Sequence, residues 1–276
     1  MSNEKKGEQR YFHKLRDGEK LEILEIGNPN KPPCLVIPGI LGQAEQDPLT
    51  DALKDDLRVI MYSPRGAGNS TGKLNLDADI QDVGEMAEFV EEKYETPVIV
   101  GMSLGGHKAA RALGEDPSIA KKAVLLSPLR KLNEQNTYLL GKAAEFYRIL
   151  GIHPESILGS DYIKMKGQRF HYETFIDFLR DVEKSQVQKK LQTPTLVALS
   201  GGTVWKKPID NLDELAKQWK DLGATENTVQ VVQYPYSNHW FSGSAGGYRR
   251  TTDPCSTCFS EIEEIGLAEK IRQYLK

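Results

Sequence analysis

The stretch that decides the fold is Val98–Gly106, which reads VIVGMSLGG. It opens with β-branched residues typical of a short buried strand, and the segment after it, His107–Leu113, has the composition of a helix. Between them lies a G-x-S-x-G turn centred on Ser103, whose flanking glycines let neighbouring backbone approach without a Cβ clash. A helix N-terminus places backbone N–H groups and the helix dipole where they stabilise developing negative charge. Ser103 is therefore predicted to be a nucleophile.

Outward from this stretch, short apolar runs alternate with helical segments. The runs are apolar at successive positions, as in strands buried on both faces of a parallel sheet. They are Cys34–Ile37, Arg58–Tyr62, Val98–Gly101, Ala123–Ser127, Thr195–Leu199 and Val229–Tyr234. The predicted helices are an amphipathic segment with Ile80, Val83, Met86, Ala87, Val90 and Tyr94 on one face, then Ser103–Leu113, Asn211–Leu222 and Glu261–Leu275. This alternation predicts an α/β fold with a doubly wound, mostly parallel sheet, and Arg10–Ile26 is predicted to form a hairpin at its edge.

The alternation stops between residues 132 and 192. We predict no strand there but three helical segments, Asn136–Ile149, Pro154–Lys164 and Tyr172–Leu191. An insertion at the carboxyl edge of such a sheet lies beside the usual ligand crevice. We therefore predict a core of residues 1–131 and 193–276 and a helical cap or lid of residues 132–192. Its aromatic residues, expected to pack on each other and on the sheet, include Tyr138, Phe146, Tyr147, Phe170, Tyr172, Phe175 and Phe178.

Composition and charge exclude several classes of function. The chain has 276 residues, of which 39% are apolar and 27% charged, as in ordinary globular proteins. A net charge of −3 gives no overall attraction to nucleic acid or to an anionic membrane. The sequence has no apolar run of about 18 residues that could span a bilayer. The first residues, MSNEKKGEQR, lack the apolar core of a secretory signal, so we expect a cytoplasmic protein.

Cysteine usage indicates neither a disulfide scaffold nor a metal site. The chain has three cysteines, of which Cys255 and Cys258 form a C-x-x-C pair. Zinc needs about four ligands, and the remaining cysteine, Cys34, begins a predicted core strand. The sequence shows no thioredoxin-like unit around the pair. We therefore expect no cofactor and no metal.

Three further motifs lie at the ends of predicted strands. Ile37–Gly42 reads IPGILG, Ser63–Ser70 reads SPRGAGNS, and Tyr236–Phe241 reads YSNHWF. Together with the Ser103 turn, they resemble the α/β-hydrolase family over nearly the whole chain. In that family the first motif is the oxyanion loop and usually begins His-Gly, so that Pro38 replaces the histidine. The second is similar to the family's D-x-R-G-x-G-x-S turn, with Ser63 in place of the acid, and the third contains the catalytic histidine.

Two backbone amides are candidates for an oxyanion hole. A tetrahedral intermediate needs preorganised donors aimed at its oxygen, each contributing about 3–4 kcal/mol. The amide of Leu104, directly after the nucleophile, is the first candidate. The amide of Ile40, after Pro38 and Gly39, is the second.

Among the five histidines, His239 is predicted to be the general base. It follows the carboxyl end of a predicted strand, in a loop that can reach the nucleophile. His107 lies one helical turn after the nucleophile and cannot easily turn back toward its hydroxyl. His13 lies in the edge hairpin, with an expected surface position, and His153 and His171 lie in the insertion, where packing roles are expected.

The catalytic acid has no assigned position. The resemblance places it in a G-x-x-D-x-x-x-P context, where this chain has Val204. The other position that the family uses, after the preceding strand, reads SPLR at Ser127–Arg130. Asp210 is better interpreted as a helix N-cap. We expect a carboxylate oxygen from another segment within about 2.6–3.2 Å of the His239 ring.

Two functions of different class are compatible with these residues. The first is a serine hydrolase that cleaves a small or medium acyl substrate, most simply a carboxylic ester, through an acyl-enzyme on Ser103 with His239 as base. Thioesters, amides and carbon–carbon bonds are cleaved by the same set of residues. The alternative is a hydrolase scaffold that has lost turnover and binds a ligand or partner. The missing acid favours the alternative, and the retained serine and histidine oppose it.

Overall fold

A computed structural model describes residues 8–40, 42–128, 162–165, 168–201, 211–237 and 266–275. Within these ranges the strands are β1 (Glu8–Lys14), β2 (Lys20–Gly27), β3 (Pro33–Ile37), β4 (Arg58–Tyr62), β5 (Val98–Met102), β6 (Lys122–Leu126), β7 (Tyr162–Met165), β8 (Gln168–His171), β9 (Thr195–Ser200) and β10 (Val229–Tyr234). Eight of them form one sheet in the order β1-β2-β4-β3-β5-β6-β9-β10. Within this sheet, the neighbouring strands in the order β4-β3-β5-β6-β9-β10 are all parallel to one another.

The predicted α/β architecture is confirmed. All six predicted core strands are present, each ending within one residue of its expected limits. The predicted edge hairpin is also present, because β1 and β2 pair antiparallel and β1 is the outermost strand. Its turn contains Gly18, which has φ +97°, a conformation that glycine adopts without steric cost.

The helices of the described ranges are α1 (Pro48–Leu53), α2 (Leu76–Lys93), α3 (Leu104–Glu115), α4 (Tyr172–Lys184), α5 (Leu212–Lys220) and α6 (Leu267–Leu275). Asn75 caps α2 by accepting the Ala78 N–H. The N-cap of α5 is Asn211, which accepts the Glu214 N–H, so the assignment of this role to Asp210 is wrong by one residue. No helix within the described ranges is long and apolar enough to cross a membrane.

Helices cover both faces of the sheet. Alternate side chains of a strand point to opposite faces, and β3 shows the division clearly. Leu35 belongs to the core shared with α2, α3, α4 and α5, whereas Cys34 belongs to the core shared with α1 and α6. Both residues are fully buried. The sheet is therefore doubly wound, as the apolar runs predict.

The expectation that the stretch 132–192 contains no strand is wrong. β7 and β8 form a two-stranded antiparallel sheet, and β7 includes the end of the segment 154–164 that was expected to be helical. The strands are short, and only two residues separate them, one of which is Gly167. Short half-polar strands give a weak periodic signal, whereas a two-residue connection with glycine is typical of a hairpin.

The helix predicted from residue 172 is present as α4 but ends at Lys184. Phe178, Leu179 and Val182 of this helix are buried in the same core cluster as α2 and α3. This part of the proposed cap therefore also completes the core. The predicted helix at residues 136–149 lies outside the described residues.

Candidate active site

Ser103 lies at the junction of β5 and α3, on a strained backbone. It is the N-cap of α3, with φ +52° and ψ −118°, outside the conformations that non-glycine residues ordinarily adopt. Its N–H donates to the Leu126 carbonyl of β6 at 2.8 Å, and its side chain is almost completely buried. A strained serine at a strand–helix junction matches the predicted nucleophile turn.

The glycines around Ser103 are required by close backbone approach. A Cβ at Gly105 would lie 2.2 Å from the Ile37 carbonyl oxygen, and one at Gly101 would lie 2.7 Å from the Gly105 carbonyl oxygen. Contacts below about 3 Å are not tolerated between a Cβ and fixed backbone. The first turn of α3 can therefore pack directly against the ends of β3 and β5 only with glycine at these positions.

The loop after β3 lies beside Ser103. A Cβ at Gly39 would be 3.7 Å from the Ser103 Cβ, and the Gly42 N–H donates to the Gly39 carbonyl at 3.1 Å, which closes a turn. Ile40, within this turn, packs on the core. Leu104 is the first residue of α3, where a backbone N–H has no intrahelical acceptor. The loop and the helix N-terminus are thus neighbours, as an oxyanion site requires.

The glycine-rich turn after β4 is held by a carboxylate that the sequence analysis missed. Ser63, which stands where the family pattern has an acid, donates to Glu22 of β2 at 3.1 Å. The backbone and side-chain amides of Asn69 also donate to Glu22, at 3.1 and 2.7 Å. Burial opposes ionisation of Glu22, but these hydrogen bonds outweigh it and lower its pKa. Glu22, a carboxylate distant in sequence, thus accepts the hydrogen bonds that hold this turn.

The carboxyl ends of the next strands carry hydroxyl groups. Ser127, which follows β6, has φ +43°, and its Oγ lies 2.8 Å from Oγ of Ser200 at the end of β9. Beyond β9, Gly201 packs so closely on Pro235 that a Cβ would lie 1.9 Å from the Pro235 carbonyl oxygen. The segment that directly follows β10 therefore lies at the same edge of the sheet as the ends of β6 and β9.

Several predicted site residues lie outside the described ranges. They are His239, Val204, Asp210 and the pair Cys255 and Cys258. The role of His239 as base, and a carboxylate next to its ring, stay predictions.

Two of the other histidines have packing partners. His107 Nε2 lies 2.7 Å from Oγ of Ser185, the residue directly after α4. The same Oγ accepts a hydrogen bond from Arg111. His13 lies on the outermost strand, as expected, and is half-buried there, with its ring 4.3 Å from that of Phe89; burial lowers its pKa.

A buried ion pair ties the nucleophile helix to α2. Lys108 of α3 lies 3.2 Å from Asp79 of α2, and both side chains are at most 2% exposed. Oη of Tyr62 and the second carboxylate oxygen of Asp79 are buried without a hydrogen-bond partner among the described residues. Burial raises the pKa of Asp79, and Lys108 opposes that shift. Local sequence patterns do not reveal this pair, because Asp79 and Lys108 are 29 positions apart in the chain.

A doubly wound sheet whose central strand ends in a strained serine at a helix N-terminus defines the architecture of the α/β hydrolases. The chain belongs to the alpha/beta hydrolase fold family, whose model matches residues 32–193.

Solved structures with a similar fold cover nearly the whole chain. Est1E of Butyrivibrio proteoclasticus, with bound ferulic acid, has 19% identity and a TM-score of 0.61 over 96% of this chain and 97% of its own. An esterase of Pyrococcus furiosus has 14% identity and a TM-score of 0.67 over 100% and 94%. The Cif epoxide hydrolase of Acinetobacter nosocomialis has 16% identity and a TM-score of 0.67 over 99% and 90%. A comparison with curated proteins gives no match. At these identities the likeness establishes the fold.

Proposed function

We propose that the protein is a serine hydrolase that cleaves a small or medium carboxylic ester. Oγ of Ser103 attacks the carbonyl carbon while the His239 ring accepts the serine proton. The amides of Ile40 and Leu104 donate to the oxyanion. The leaving alkoxide takes the proton from the imidazolium, and an acyl-enzyme remains. Water then loses a proton to the same ring and attacks the acyl carbon. The ring gives that proton to Oγ of Ser103 as the acyl–oxygen bond breaks, which releases the carboxylic acid and restores Ser103.

The observation that carries this proposal is the backbone strain at Ser103. A non-glycine residue at φ +52° costs free energy, and such strain concentrates at functional sites. The surrounding glycines allow this turn to pack against β3 and the loop after it. A core serine with only a packing role needs neither feature.

We favour an ester over other acyl substrates because two of the proteins with similar structures are described as esterases. The segment 132–192 is proposed to cover the site and to supply an apolar pocket, with α4 anchoring it to the core. A cytoplasmic location is part of the proposal, because the only described cysteine, Cys34, is a buried free thiol.

A fluorophosphonate probe tests the nucleophile, because it reacts with activated serines. Wild-type protein should be labelled at Ser103, and Ser103→Ala should abolish labelling. The matched control is Ser118→Ala, which removes an exposed serine hydroxyl before β6 and should leave the labelling rate unchanged. Absence of labelling in the wild type, or equal labelling of Ser103→Ala, would exclude the serine hydrolase and favour the binding scaffold.

The base is tested in the same assay. His239→Ala should slow labelling of Ser103 by about two to four orders of magnitude, because the serine loses its proton acceptor. His107→Asn should leave labelling within about threefold if His107 has only its packing role. Reversed effects of the two variants would assign the base to α3 instead.

A further inference from the structure

Among the described strands, β1 is the outermost of the eight-stranded sheet, and one of its edges is open to a further strand. Its seven residues pair one-for-one with β2, from Glu8 opposite Ile26 to Lys14 opposite Lys20, without a bulge. We propose that the open edges of two copies of this chain pair antiparallel, so that their sheets continue into each other across a two-fold axis. The inference concerns a surface outside the proposed active site and does not depend on the proposed function.

The hydrogen bonds of β2 show which backbone groups of β1 point outward. The Lys20 N–H donates to Oγ1 of Thr71, and the Lys20 carbonyl accepts the Thr71 N–H, both at 2.8 Å. The Glu22 N–H donates to Oγ of Ser70 at 2.9 Å. Both partners follow β4, which lies on the other side of β2 from β1. Lys20 and Glu22 therefore direct their backbone groups away from β1.

Lys14 and Phe12 lie opposite these two residues, in the non-hydrogen-bonded pairs of the hairpin. Their own N–H and C=O groups therefore point away from β2, toward the open edge. This direction repeats at every second residue of a strand, so the backbone groups of Arg10 and Glu8 point the same way. Outside the strand ladders, no hydrogen bond in the described ranges involves the backbone of these four residues. The edge thus presents four donors and four acceptors to a further strand.

One two-fold register pairs the whole length of this edge. In a regular antiparallel pair, residues whose backbone groups point outward lie opposite residues of the same kind. With Tyr11 on the two-fold axis, Glu8 lies opposite the partner's Lys14, and Arg10 lies opposite the partner's Phe12. All seven residues of the strand then pair. Each of the four outward N–H groups of each copy donates one hydrogen bond, which gives eight across the interface.

The other long registers bring like charges together. Registers centred on Arg10 or on Phe12 pair only five residues of each strand. The first places Arg10 opposite the partner's Arg10, and the second places Arg10 opposite the partner's Lys14. Like charges directly opposite each other destabilise an antiparallel pair, whereas opposite charges stabilise it. Charge therefore selects the same register as length does, the one that joins Glu8 to the partner's Lys14.

β1 lacks the features that usually protect an edge strand from pairing. It contains no proline and no bulge, and it is seven residues long. Its acidic residue, Glu8, is at one end and Lys14 is at the other, so the strand attracts an antiparallel copy of itself. This self-complementary charge pattern indicates that the occupant of the edge is a second copy of this chain.

Phe12 lies near the centre of the edge and is 55% exposed. An exposed apolar residue on a long edge strand favours pairing with another chain. In the register centred on Tyr11, the ring lies opposite the aliphatic stem of the partner's Arg10 and diagonal to the partner's Phe12, within reach of both. Arg10 lies 3.6 Å from Glu22 of its own chain, which balances its charge. A second copy therefore covers the exposed ring without leaving an unbalanced charge at Arg10.

Sedimentation equilibrium of the full chain over about 1–500 µM, a range that covers weak complexes, tests for the dimer. Two single strands form a smaller interface than a typical stable complex, so we expect a Kd of about 10–100 µM. Added salt should raise the Kd, because it screens the attraction between Glu8 and the partner's Lys14. A wild-type chain that stays monomeric over the whole range overturns the proposal and leaves the edge to a strand of another protein.

The backbone of the edge is tested by Arg10→Pro, with Arg10→Ala as the matched control. Both remove the same side chain, but only proline removes the outward N–H. Arg10 lies opposite Leu24 in a non-hydrogen-bonded pair, so proline costs β1 no hydrogen bond to β2. We expect the Kd of Arg10→Pro to exceed that of Arg10→Ala by at least about tenfold, because each dimer loses two hydrogen bonds. Equal Kd values, in variants that circular dichroism shows to be folded, would overturn the proposal.

The register is tested by Glu8→Lys and Lys14→Glu. Each variant paired with itself has two pairs of like charges directly opposite each other, so its Kd should exceed that of the wild type by at least about tenfold. In an equimolar mixture of the two variants, every lysine at these positions lies opposite a glutamate of the other variant. The mixture should therefore form heterodimers with a Kd within about threefold of the wild-type value.

The mixture decides even if Arg10→Pro does not fold. Dimers in the mixture, with little dimer in either variant alone, support pairing centred on Tyr11. Equal association of the mixture and of the separate variants would show that positions 8 and 14 do not face each other, and would overturn the proposal.

Discussion

Gly105 and Gly84 both lie in helices, but their surroundings differ completely. A Cβ at Gly105 would lie 2.2 Å from the Ile37 carbonyl oxygen and 2.6 Å from that of Pro38, whereas a Cβ at Gly84 of α2 meets nothing within 4 Å. At the residue scale, the same substitution should therefore have opposite effects at the two positions.

Gly105→Ala should lower the free energy of unfolding by about 1–3 kcal/mol, because α3 must move away from β3. It should also slow fluorophosphonate labelling, since Ser103 begins the displaced helix. Gly84→Ala should raise the free energy of unfolding by about 0.5–1 kcal/mol, because alanine restricts the unfolded chain and favours a helix. Urea unfolding curves measure both changes. A stabilising Gly105→Ala would contradict the packing described for the serine turn.

At the scale of elements, the sequence predicts best what local patterns determine. The strand limits were predictable because buried parallel strands are apolar at every position, and α2 was predictable from its apolar face. The hairpin of β7 and β8 was missed because four-residue strands carry little periodicity. The contacts of Glu22 with Ser63 and of Ser127 with Ser200 join residues 41 and 73 positions apart, which a local pattern does not reveal.

The position of α4 gives a prediction at the same scale. Leu179 is 3% exposed and lies in the core cluster, whereas Asp177 on the same helix is exposed and forms an ion pair with Arg180. Leu179→Ala should lower the free energy of unfolding by about 2–5 kcal/mol, since it leaves a cavity in the core. Asp177→Ala should change it by less than about 1 kcal/mol, because exposed ion pairs contribute little.

Urea unfolding, followed by circular dichroism, measures both variants. Equal, small effects would show that α4 belongs to a separable cap and not to the core. A large effect of Leu179→Ala alone would mean that any shortening of the insertion must keep this helix.

At the scale of the whole molecule, Cys34 is a built-in probe of global unfolding. It lies in β3, is fully buried and pairs with Val59 and Val98 on the two neighbouring strands. Burial raises the pKa of its thiol to about 12, and alkylation requires the thiolate. In a chain with Cys255→Ser and Cys258→Ser, iodoacetamide should therefore label Cys34 only when the sheet separates.

Brief iodoacetamide pulses across a urea series should give a labelling midpoint equal to that of the circular dichroism transition. The same chain with Cys34→Ala is the control and should remain unlabelled. Rapid labelling without urea would show that the sheet opens locally around β3.

The strand order also affects how the protein is made. β2 pairs with β4, although residues 28–57 lie between them in the chain. At a ribosomal rate of about 5–20 residues per second, these 30 residues take about 2–6 s to be synthesised. For that time the edge of the newly made hairpin has no neighbour, and apolar side chains such as Ile23 lack the core that later buries them. The nascent chain is thus open to pairing with other chains, and to chaperones that prevent it, until β4 leaves the ribosome.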